Sequence, residues 1–144
     1  MTVADQAWTA VYTAIDTALP MALVLRNEPL PQQIPADGLA LVNDGTLGDP
    51  EITFGVRTYY FDDAVTEVTL YAAAELEVDR RTEARAMIDA VTEQVTSDRT
   101  LGGVVDWAEP VLQAVDHDAF PGAQSVAAAT MLIQLRFQGS GPTG

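Results

Sequence analysis

The chain contains no cysteine and no lysine, a single histidine, and no apolar run long enough to span a bilayer. Without cysteine there is no disulfide, no thiolate zinc or iron–sulfur site and no cysteine nucleophile. Without lysine a Walker A phosphate loop is excluded, and no G-x-S-x-G nucleophile elbow is present either. The lone histidine, in Asp116-His117-Asp118, is set between two acids that diverge from it in any strand or turn, whereas a mononuclear metal site draws its ligands from separated segments. The expectation is a protein that is not an enzyme and holds no cofactor and no metal.

Positive charge is also scarce. Seven basic residues, all arginine, stand against 21 acidic ones, giving a formal net charge of −14. Such a surface repels nucleic-acid phosphates unless its arginines cluster. MTVADQAWTAVYTAIDTALP lacks the basic start and unbroken apolar core of a signal peptide, so a soluble chain with no membrane partner is expected.

What is present suits one domain. The 144 residues are 48% apolar, enough for a real core, and a single domain over 1–138 is expected, with GSGPTG at 139–144 as a flexible tail. Trp8, Val11, Tyr12, Ile15 and Leu19 recur at helical spacing behind a Thr2/Asp5 capping pair, and Pro20 follows. Leu23 to Leu25 reads as a short strand before a proline-rich surface loop, and LALVND as a strand running into a turn at Asp44-Gly45. Ile52, Phe54, Val56 and Tyr60 alternate, as do Val68, Leu70 and Ala72; with Asp62-Asp63 between them, the pattern predicts a long hairpin.

From Asp79, taken as N-cap, Ala84, Met87, Ile88, Val91 and Val95 form one helical stripe. PVLQAV reads as a short strand. SVAAATMLIQLRF is a longer one, with Ala127, Ala129, Met131, Ile133, Leu135 and Phe137 on one side and enough apolar residues on the other to predict a central strand buried on both faces. The order implies an α+β fold: a mostly antiparallel sheet of four to five strands with two main helices packed on it.

Two stretches stand apart. Arg80, Arg81 and Arg85 open the second helix, where the macrodipole disfavours cations. Either they pair locally with Glu77, Glu83 and Asp89, or they form a basic patch that meets an acidic surface on another subunit. The second stretch, SDRTLGGVVDWAEP (97–110), offers Asp98 or Thr100 as a cap, Gly102-Gly103 for positive φ or close approach, and Trp107 for burial, with an expected loss of roughly 3–5 kcal/mol in Trp107→Ala. A helix precedes it and no lysine exists, so a structural connector is favoured over a phosphate cradle.

Asp98-Arg99-Thr100-Leu101-Gly102-Gly103 followed by Asp106-Trp107, between a long helix and a C-terminal apolar strand, resembles the tail terminator (tail completion) proteins of long-tailed phages and phage-derived particles. The first helix, the loop with Leu30-Pro31, Asn43-Asp44-Gly45 and Tyr59-Tyr60 extend the likeness over nearly the whole chain. The resemblance implies a ring of subunits, typically six, at the head-proximal end of the virion tail, in particles made in the bacterial host cytoplasm. Such a ring caps the tail tube protein, stops its polymerisation and offers a surface to the head–tail connector protein, without catalysis. DNA would only pass through its channel, where carboxylates repel phosphate. Competing readings are another ring-forming tube or head–tail joining protein, a soluble binding module, and a small metal-assisted hydrolase using Asp116, His117 and Asp118.

Overall fold

Alternation in the last strand sets the architecture. In the computed structural model, which describes residues 1–53, 55, 58–119 and 124–144, with the backbone alone at 118 and 119, Ala127, Ala129, Met131, Ile133, Leu135 and Phe137 are all buried. Gln134, Arg136 and Gln138 between them are exposed. The fold is α+β: helix α1 (Val3–Ala18), strands β1 (Leu23–Arg26), β2 (Leu39–Thr46), β3 (Glu51–Thr53) and β4 (Thr58–Ala72), helix α2 (Glu77–Ser97), and strands β5 (Trp107–Ala119) and β6 (Val126–Gly139). The six-stranded sheet runs β1-β2-β4-β6-β5, with β3 also on β4. Every pairing is antiparallel except β1 with β2.

Both helices lie on one face of this sheet. The threonine and aspartate read as a cap form a full capping box: Asp5 N donates to Thr2 Oγ1 at 3.1 Å and Thr2 N to Asp5 Oδ2 at 3.0 Å. The backbone N–H of Thr2, followed by its hydroxyl, holds the Asp5 carboxyl below its ordinary value. Ala7, Val11 and Ile15 of α1 and Ala84, Met87, Val91 and Val95 of α2 bury against Val68, Leu70, Ala129, Met131 and Ile133. Phe61 stacks on Phe137 at 5.3 Å between ring centroids, and Trp8 meets Phe137 edge-on at 6.4 Å.

Several expectations change. Asp62-Asp63 makes no turn: β4 is one strand of 15 residues, and the two acids sit in a bulge where Phe61 pairs with Phe137 and Ala64 with Leu135. One extra residue there turns both Phe61 and Ala64 inward and leaves both carboxylates exposed. The hairpin is instead β3–β4, with Glu51 opposite Tyr60, and its Ile52 is 60% exposed rather than inward. Phe54 and Val56 lie outside the described residues. Asp44-Gly45 is likewise a bulge inside β2, since a Cβ at Gly45 would land on the Val65 carbonyl.

Helix α2 starts earlier than expected, with Leu76 at the N-cap and no side-chain cap, so Asp79 lies in the first turn, where the dipole favours it. β6 is central but one-sided, its outer face open over Gln134 and Arg136. That outer face is covered at one end by the proline-rich loop, which tucks Ile34 against Leu39, Leu41 and Val126. The Gln124 side chain holds Ile34 like a strand partner, accepting from its N at 2.8 Å and donating to its O at 2.9 Å. The terminal GSGPTG segment turns back so that Gly144 packs against Ala4 and Gly139. Among the described residues no helix is long and apolar enough to cross a membrane.

Two outcomes follow. Gly45→Ala should lower stability by roughly 1–3 kcal/mol in urea unfolding, because the backbone of β4 must move to admit a methyl group. Glu83, on the side of α2 facing Asp37, has its carboxyl pushed above the ordinary value, first by burial and then by the Asp37 charge. The folded state therefore binds this proton more tightly than the unfolded state, and stability falls as pH rises through the unfolded and then the raised folded value. Glu83→Gln should match wild type below that window and be more stable than wild type above it, as read from unfolding midpoints across pH.

Candidate functional site

The connector from α2 to β5 is built from backbone conformation more than from its tryptophan. Leu101, Gly102 and Gly103 hold φ of 49°, 73° and 88° in succession. A Cβ on either glycine would meet nothing within 4 Å, so glycine serves the left-handed backbone and not a close approach. Asp98 caps the turn by accepting from Gly102 N at 2.9 Å, and Thr100 Oγ1 accepts from Gly103 N at 3.2 Å. Leu101 adopts a conformation unfavourable to its side chain and is compensated by burial, and Val105 is buried as well.

Trp107 does not bury as expected. It opens β5 with 42% of its surface exposed and lies under the Arg99 guanidinium, 4.5 Å from the ring centroid. Arg99 also donates to the Ala108 carbonyl at 3.3 Å. The physical reason is register: Trp107 is opposite Arg136, on the open face of the sheet, while Ala108, opposite Leu135, takes the inward position.

The three arginines of α2 separate into three roles. Arg80 Nη1 donates to the carbonyls of Ala74 and Glu75, at 3.0 and 2.8 Å, and so ties the loop before the helix. Arg81 bonds Glu77 one turn back at 2.9 Å, an exposed pair worth little on its own. Arg85 has no ion pair among the described residues, and neither Glu83 nor Asp89 supplies one. Local pairing therefore accounts for Arg80 and Arg81 but leaves the exposed Arg85 guanidinium without an ion pair among the described residues.

Arg81 and Arg85 flank a groove of about 530 Å³ between α2 and β5. Its apolar lining comes from Val78, Ala84 and Ile88 on the helix and Leu112 and Val115 on the strand. Val78 is 67% exposed and Leu112 48%, and β5 is an edge strand, so among the described residues nothing covers the groove or the outer side of β5. His117 lies at the groove's end with its Nδ1 buried and without a hydrogen-bond partner among the described residues. Asp116 beside it makes interactions of its own, and the Asp118 side chain lies outside the described residues. Among the described residues no cluster of three or more His, Asp or Glu side chains is placed to hold a metal ion.

The groove was invisible in the sequence, because PVLQAV carries its apolar residues across a bulge between Leu112 and Ala114 that brings Leu112 and Val115 to one face. Also unforeseen is a fork at the opposite sheet edge. Arg26 meets Asp44 through Nε and Nη2 at 3.0 and 3.2 Å and reaches Thr9 of α1 at 3.1 Å. No protein-family model matches the chain, and no curated protein gives a significant match to it.

The connector yields a direct comparison. Leu101→Ala should cost about 2–5 kcal/mol, as a buried leucine does. Trp107→Ala should cost only about 1 kcal/mol, the scale of an exposed cation–π contact. Chemical denaturation of the two variants side by side checks the order; a larger loss at Trp107 would contradict it.

Proposed function

We propose that the protein is a structural subunit of a phage or phage-derived tail, acting as a tail terminator: a ring that caps the tail tube, stops its growth and receives the head connector. The observation that supports this reading best is the asymmetry of the open surfaces. One sheet edge, β5, borders an apolar groove carrying Arg85, which has no ion pair among the described residues, in a chain of net charge −14. The other, β1, carries no such groove and is tied to its neighbour β2 by the Arg26–Asp44 fork. A subunit whose two ends differ associates head to tail, and such contacts close into rings when the rotation allows. The resemblance carried by Asp98 to Trp107 supplies the tail context. Subunit contact and tube capping require no catalytic group, and no enzymatic activity is part of this reading.

Arg80 is better left intact in a test, since its loss would unseat two backbone carbonyls. Arg81→Gln/Arg85→Gln should keep the wild-type circular dichroism and melting transition while weakening assembly, and wild-type assembly should itself weaken as salt screens charge beyond about 8–10 Å. Electron microscopy of tails made with the double variant should show overlong or uncapped tubes. Tubes of normal length with normal caps would remove these arginines from the function, and a null variant with normal tails would remove the terminator reading.

A further inference from the structure

We infer that residues 28–34 form a strap that lifts from the outer face of the sheet and recloses on it as a unit, with Ile34 as its plug and the Gln124 side-chain amide as its catch. The inference stands apart from the tail reading above. Both ends of the strap are tied down. Asn27, at φ 54°, donates from N to the Val42 carbonyl at 2.9 Å and accepts through Oδ1 from Asp44 N at 2.8 Å. At the other end Gly38, at φ 95°, donates to the Pro35 carbonyl at 3.0 Å and accepts from Leu23 N at 3.1 Å. Between these ends the chain has little of its own to hold it. Pro29 and Pro31 carry no N–H, and residues 28–33 make no hydrogen bond among the described residues. Ile34, 1% exposed, is the one buried side chain of the strap.

Two contacts keep it closed. Pro35 restricts Ile34 to an extended backbone, so that its N–H and C=O face the same way, and the Gln124 amide accepts from the one at 2.8 Å and donates to the other at 2.9 Å. The Ile34 side chain packs on Leu39, Leu41 and Val126, a cluster separate from the main core beneath the helices. Releasing the catch therefore breaks no strand ladder and takes nothing out of the main core. Opening of such a segment is a local event that needs less free energy than global unfolding. It uncovers Leu39, Leu41 and Val126 together, on a face where Gln134 and Arg136 are already exposed. The fold thus keeps an apolar patch under a cover that hangs on one amide, supplied from just before β6.

Because the chain has no cysteine, introduced thiols report this opening without background. Leu39→Cys places a thiol in the patch under Ile34, and Met131→Cys places one in the main core. With a thiol reagent, the Leu39→Cys protein should label at a rate that stays flat over low urea concentrations, as local opening does. Met131→Cys should label only through global unfolding, at a rate that climbs with urea. Gln124→Ala should raise the Leu39→Cys rate about tenfold, the scale of two neutral hydrogen bonds lost. Val126→Cys, on another strand of the same patch, should respond by the same factor. In the unaltered protein, hydrogen exchange at the Ile34 amide should be flat in urea while exchange along β4 is not. Leu39→Cys labelling or Ile34 exchange that follows urea as steeply as the main core overturns the inference, because the strap then opens only with the whole fold. A Leu39→Cys rate indifferent to Gln124→Ala removes the catch, and a response at only one of the two patch thiols removes the unit; either result overturns the inference as stated.

Discussion

The pairing of β4 with β6 is the constraint on which everything else rests. Their register runs from Tyr59 opposite Gly139 to Ala72 opposite Ala127, and it delivers to one face a block of Ala, Val, Leu, Met, Ile and Phe broken by the buried Thr66, whose Oγ1 has no hydrogen-bond partner among the described residues. Only that face is roofed by helices, so the molecule has a single main core and an outer sheet face that stays half open. Two bulges, at Asp62-Asp63 and around Gly45, preserve the block by absorbing one extra residue each without shifting the inward set. A single-residue slip without them would turn every later side chain to the wrong face.

That one-sided design also decides where the surface is unsatisfied. Helix α2 reaches the edge strand β5 at its C-terminal end but leaves a gap beside Leu112 and Val115, because the bulge after Leu112 turns both toward the helix side while their neighbours face out. The guanidiniums of Arg81 and Arg85 border this gap, one to two turns into a helix that begins at Glu77 and so beyond the first turn where the dipole acts.

Where local pattern and tertiary demand agree, the sequence was legible. The Thr2/Asp5 cap, the stripe from Ala84 to Val95 and the inward row from Ala127 to Phe137 are periodic over many residues, and the structure has them all. The failures share one cause, which is that short-range turn chemistry does not distinguish a turn from a bulge. Asp-Asp and Asp-Gly both tolerate the backbone a bulge needs, and only the distant partner strand, Phe137 to Leu135 in one case and Glu67 to Val65 in the other, settles the outcome. Trp107 misled for the same reason: its size argued for burial, whereas its register with Arg136 placed it on the open face.

The candidate site was half legible. Arg80, Arg81 and Arg85 stood out by position on the helix, but their separate fates depend on groups the sequence does not place: the Ala74 and Glu75 carbonyls for Arg80, the i−4 carboxylate for Arg81, and no carboxylate among the described residues for Arg85. The groove floor was illegible because it joins residues from 78 to 115 through the packing of α2 on β5. Ile52, too, looked like a core position by alternation. It is exposed because β3 extends past the roof of helices, and an alternating strand with no cover presents its apolar side to whatever arrives from outside.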